Sequence, residues 1–201
     1  MYHLALVALE RGAYKEALDL AQRCVAITEE FKLHALQVNG YILLGIAQRK
    51  LQSIEEASAT HLRAVELGQR MASPALMAAA AVELCADYAL LGRWEDAAAS
   101  ALQVVNGKSD LFVLVFGLSR WYVTQALIRA GHIELAAQDL ERWKARIEES
   151  TRHHIPYLRA VAALAFAQGK NERAKDALRE AVELARKLGL KGEIEGVLGV
   201  G

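Results

Sequence analysis

The chain has 201 residues, 54% of them hydrophobic, enough to bury a continuous core, which excludes a disordered polymer. Lysine plus arginine and aspartate plus glutamate balance at 24 each, so no net field draws nucleic-acid phosphates or an anionic bilayer. With only two prolines, Pro74 and Pro156, and no strand-length alternation of polar and apolar residues, the composition favours helix throughout.

The opening MYHLALVALERG carries Glu10 and Arg11 too early for a signal-peptide core and reads as a helix over 2–11. Apolar periodicity then predicts helices over 14–30, 33–51, 54–71, 74–91, 94–106, 109–130, 133–149, 154–168 and 171–188, with an extra turn after Gly192. Ser53 with Glu56 reads as a capping box, Asn171 as the cap of the last helix, and Ser73 before Pro74 as a helix start. The purely apolar run over 111–116, with Gly117 and Leu118 following, falls far short of the roughly 20 residues that span a bilayer. The expected location is the cytoplasm. Cys24 and Cys85 sit singly in apolar helical patterns and are expected to be buried free thiols.

Five segments superimpose: GAYKEAL, LQSIEEA, GRWEDAA, GHIELAA and GKNERAK. They align on Ala17, Ala57, Ala97, Ala136 and Ala174, at intervals of 40, 40, 39 and 38 residues. Five residues before each anchor stands Gly12, Gln52, Gly92, Gly131 or Gly169, where a helix ending in a left-handed residue wants glycine. Three before it stands Tyr14, Ile54, Trp94, Ile133 or Asn171, where the second helix of each unit should begin. Twelve before it the residue is always small (Ala5, Gly45, Cys85, Thr124, Ala162) and thirteen before it always large (Leu4, Leu44, Leu84, Val123, Val161), so that neighbouring helices can notch together. No unit buries both faces alone, so the units must stack.

This skeleton resembles the tetratricopeptide repeat (TPR) over nearly the whole chain, with units near 40 residues in place of the common form of about 34. The resemblance implies an all-α fold, an α-α superhelix of five antiparallel helix pairs, in one domain over 1–201 with units at about 1–32, 33–72, 73–108, 109–151 and 152–201. Long units ending in AITEEF, VELGQRM and VELARKLGL look like the sensor arms of bacterial transcriptional activators of the maltose-regulon type, within the signal-transduction ATPases with numerous domains. The resemblance implies that other domains of a longer parent flank these residues. No GxxxxGK[ST] segment is present, so nucleotide binding is not assigned here.

Such repeats bind on the face of their first helices, and the anchor register projects Asn39, Ile42, Arg49, Lys50, Trp121, Gln125, Arg129 and Arg159 onto a concave groove. The expected occupant is a protein segment or a small-molecule inducer. No metal, cofactor or catalytic grouping is expected, and His61 is expected to be a hydrogen-bonded core residue. The apolar helix over 111–118 is a candidate surface for a homodimer or for another domain. The alternative reading is a purely structural protein–protein adaptor, and a catalytic helical protein stands behind both.

Overall fold

The computed structural model describes residues 1–107, 117–147 and 151–190. Among them are ten α-helices and no strand: α1 Tyr2–Glu10, α2 Tyr14–Glu30, α3 His34–Lys50, α4 Ile54–Arg70, α5 Pro74–Leu90, α6 Trp94–Asn106, α7 Trp121–Arg129, α8 Ile133–Ile147, α9 Thr151–Ala167 and α10 Asn171–Lys187. Packing divides the chain into two compact blocks, Met1–Leu111 and Phe112–Gly201. The first holds the helix pairs α1/α2, α3/α4 and α5/α6, called repeats 1 to 3. The second holds α7/α8 and α9/α10, repeats 4 and 5.

The period of 40 has a simple origin. Helices α2 to α5 are each 17 residues long and are joined by turns of three, so one helix plus one turn occupies 20. The middle residue of each turn has positive φ: Gly12, Lys32, Gln52, Ala72 and Gly92, then Gly131, Gly169 and Gly189. The following N–H returns to the carbonyl five residues back, as from Ala13 to Ala8, Ser53 to Gln48, Arg93 to Tyr88 and Lys170 to Ala165, at 2.8–3.0 Å. This is the Schellman closure, which satisfies helix-end carbonyls that would otherwise be orphaned.

That closure overturns two expected caps. The Ser53 N–H is already committed to Gln48, and Ser53 makes no side-chain cap bond, so the Ser53–Glu56 capping box does not form. Lys170 occupies the cap position of α10 in the same geometry, and Asn171 is the first helical residue. Ser73 does cap α5, its hydroxyl accepting from the Leu76 N–H at 3.5 Å with Pro74 following.

The helix expected over 109–130 is interrupted where it is described: a 3-10 turn over Gly117–Ser119 precedes α7. Glycine is a poor helix former, and the tighter turn is a common helix start. Helix α9 begins three residues earlier than expected and accommodates Pro156, which cannot donate to the Arg152 carbonyl. The anchors Ala17, Ala57, Ala97, Ala136 and Ala174 are all fully buried. The small positions Ala5, Gly45, Cys85, Thr124 and Ala162 are buried as well.

Candidate functional site

The repeats depart most sharply from their shared pattern between α3 and α5. Glu83 stands where repeats 2, 4 and 5 carry Leu43, Tyr122 and Ala160, and Asp87 where they carry Ala47, Ala126 and Leu164. Both acids are buried. The Arg49 guanidinium, from the last turn of α3, donates to Asp87 Oδ1 at 2.7 Å, to the Glu83 carbonyl at 3.2 Å and to Glu83 Oε2. On the other side His61 Nδ1 lies 2.5 Å from Asp87 Oδ2, while its Nε2 lies 3.1 Å from the Ile42 carbonyl. Both ring nitrogens thus meet acceptors, an arrangement that the imidazolium fills completely and the neutral ring fills by half. Burial disfavours the Arg49 cation, but the two facing carboxylates outweigh it and hold its pKa above the ordinary value. The four side chains tie α3, α4 and α5 together.

Arg49 is therefore an internal tie, a role the groove projection did not foresee. Ile42, also projected onto the groove, is fully enclosed in the core, and only its carbonyl is used, by His61. Asn39 is half-buried, with its Oδ1 enclosed and lacking a hydrogen-bond partner, while Lys50 is exposed. Helix α5 is buried over all of Ala78–Asp87, so no open strip runs along it. A sequence signal for Glu83 and Asp87 existed: two acids at i, i+4 in an alanine-rich helix, on positions that are apolar in repeats 2, 4 and 5.

In the second block, Trp121 is only 5% exposed and packs among Leu140, Trp143, Ile147 and Ala160, so it is a core residue and not a projecting anchor. Its outer face is covered by Arg159 of α9, whose guanidinium lies 3.8 Å from the ring centroid. Gln125 is half-buried one turn further along α7, and Arg129 is exposed one turn beyond that. Trp121, Gln125 and Arg159 are thereby brought to one side of α7 and α9. Arg120 is occupied elsewhere, clasping buried Asp139 with bonds of 2.7 and 2.9 Å.

Among the described residues no group of His, Cys, Asp and Glu could hold a metal, and no helix is long and apolar enough to cross a membrane. An open apolar cleft of about 530 Å³ lies between the start of α5 and the end of α6, with Pro74, Met77 and Leu102 in its walls. The helix expected over 111–118 as a dimer surface falls mostly outside the described residues, which resume at Gly117.

No protein-family model matches the chain, and no curated protein does so either. Solved structures do match in fold. A kinesin-light-chain-like protein of Podosopora anserina with nearly identical TPR-like repeats is 20% identical over 93% of this chain and 94% of its own, with a TM-score of 0.61. The fold is that of a TPR-like array. The apo form of RapI aligns over 94% of this chain and 82% of its own at 14% identity, with a TM-score of 0.62. MamA (AMB-1) aligns over 91% and 96% at 17% identity, with a TM-score of 0.53. What these TPR-like structures share with the chain is the helix-pair architecture.

Proposed function

We propose that the chain is a non-catalytic binding module that holds a segment of a partner protein against its first helices, with the principal contact on α7 and α9. One observation carries this reading: Arg159 is stacked on Trp121 beside Gln125, and Gln125 stands where the other repeats carry Leu6, Ile46, Ala86 and Ala163. Packing alone has no use for a glutamine there. A guanidinium over an indole is a pairing suited to recognising carboxylate or peptide carbonyl oxygens. Arg129, one turn on along α7, adds a further polar group to this pair of first helices, and Asn39 and Lys50 stand on a first helix of the other block.

The long unit, with its AITEEF, VELGQRM and VELARKLGL endings, supports a finer setting, the sensor arm of a bacterial signal-transduction ATPase or transcriptional regulator in the cytoplasm. A bound segment or inducer would act there by favouring one conformation of the parent over another, to the extent of its differential affinity for the two.

The test begins by selecting peptides from a displayed random library on the purified chain and measuring the affinity of the best binder. Arg129→Ala and Gln125→Ala should each weaken it by about tenfold or more, with unchanged melting temperature. Lys175→Ala, on the exposed side of α10, should leave it unaltered. Equal affinity across all three variants would refute the site.

A further inference from the structure

Four ionisable side chains meet inside the first block, and with both carboxylates ionised their charges balance only when His61 is charged. Arg49 brings one positive charge from α3, and Glu83 and Asp87 bring two negative charges from α5. His61, Glu83 and Asp87 are all buried. At that depth a charge left without an opposite partner is costly. Hydrogen bonding makes the same demand independently. His61 Nδ1 lies 2.5 Å from Asp87 Oδ2 and Nε2 lies 3.1 Å from the Ile42 carbonyl oxygen. Both oxygens are acceptors, so each calls for an N–H from the ring, and only the imidazolium has two. In the neutral ring one nitrogen would turn its lone pair toward an oxygen, in a place closed to solvent. Rotating the ring by half a turn offers no escape, because it would set carbon atoms against both acceptors.

We infer that the junction of α3, α4 and α5 is built around a bound proton: His61 stands in the folded chain as the imidazolium, and the junction weakens when that proton leaves. Helix α4 packs on α3 and α5, and their ionisable groups account for the field at the ring. From α5, Asp87 faces it directly, and Glu83 is coupled to it through Arg49 of α3. Cys85 and Tyr88, also on α5, carry no charge near neutral pH. Elsewhere on α3, His34 and Lys50 are exposed and the Tyr41 hydroxyl meets Gln37. On α4 itself Glu55, Glu56, Arg63, Glu66 and Arg70 are all exposed. Loss of the proton leaves one uncompensated negative charge in the quartet and takes a donor from one acceptor. The contact weakened is the one between repeats 2 and 3. Above about pH 6.5, where a histidine in an unfolded chain has given up its proton, the folded chain then holds one proton more than the unfolded chain, and stability falls as pH rises. This device does not depend on the binding site on α7 and α9.

The experiment has two readouts on the 201-residue chain. In long-range proton–nitrogen correlation spectra at pH 7, the imidazole of His61, assigned through its own backbone, should show both ring nitrogens protonated. Urea unfolding between pH 7 and 8.5 then compares wild type with His61→Ala, the residue that repeats 1 and 3 carry at this position as Ala21 and Ala101. The folding equilibrium constant of wild type should fall relative to that of the variant by up to about tenfold per pH unit. The remaining histidines are common to both proteins and cancel. His132→Gln, exposed in the turn before α8, should keep the wild-type dependence. A native His61 with one bare ring nitrogen at pH 7 would overturn the inference. So would a His61→Ala chain whose stability follows the same course with pH as wild type.

Discussion

A Cβ atom placed on Gly45 would lie 2.4 Å from His61 Nε2, so the imidazole occupies the space a side chain would need on the neighbouring helix. Repeat 2 has the bulkiest polar residue on its second-helix stripe, where repeats 1 and 3 have Ala21 and Ala101, and it has emptied the facing small position to glycine. Gly45→Ala should therefore destabilise the chain by about 1–3 kcal/mol through overpacking. In a His61→Ala background the same substitution should become neutral or stabilising, since alanine is the better helix former. A thermal double-mutant cycle measures the change of sign, and additive effects would show that the two residues do not compete for space.

The Arg49 tie makes a second prediction. Arg49→Met strips buried Glu83 and Asp87 of their guanidinium and should cost about 3–5 kcal/mol in denaturant unfolding. Restoring the residues that repeats 1 and 2 use at the matching positions, with Arg49→Leu, His61→Ala, Glu83→Leu and Asp87→Ala combined, should recover most of that loss. If Arg49→Met alone unfolds at the wild-type midpoint, the buried network contributes nothing to the α3–α5 junction.

Turn chemistry supplies a third. Gln52 has φ +68°, a left-handed conformation that L side chains resist, and Gln52→Gly should raise stability by about 0.5–1 kcal/mol. The converse is Gly92→Ala, which should lower stability by about 1–2 kcal/mol even though a Cβ there would touch nothing within 4 Å. Melting curves of the two variants should move in opposite directions.

Burial pushes the Cys24 thiol above its ordinary pKa, and the N-terminal ammonium offsets this only in part. At pH 8 the thiolate fraction is then lower in the native than in the unfolded chain, and alkylation of Cys24 should be several-fold slower in the native state. As pH rises through the raised pKa, native thiolate accumulates and this part of the difference shrinks. Cys85 has no exposed surface and should react only through opening of the fold. Mass-resolved labelling with iodoacetamide separates the two sites.

Most of the fold was legible in the sequence because it depends on local chemistry. The glycine five residues before four of the five anchors, together with the residue three before each, placed the starts of α2, α4, α6, α8 and α10 correctly to the residue. Turns at Lys32 and Ala72 carried no such mark, since the left-handed residue there is not a glycine. The candidate site was less legible. Projecting first-helix faces assumes that the same register position is equally exposed in every repeat, whereas Ile42 and Arg49 are enclosed by their surroundings and Lys50 is not. Whether an arginine stacks on a tryptophan, as Arg159 does on Trp121, or clasps a buried acid, as Arg49 and Arg120 do, is decided by residues far away in sequence.

The central claim, that this TPR-like array captures a protein segment on the first helices of repeats 4 and 5, is most directly tested by nuclear magnetic resonance. Titrating the selected peptide into the isotope-labelled chain should perturb the backbone amides of α7 and α9 around Gln125, Arg129 and Arg159, and shift the indole N–H of Trp121 beneath Arg159. Perturbations confined to α8 and α10, with Gln125 and Arg159 unmoved, would contradict the account.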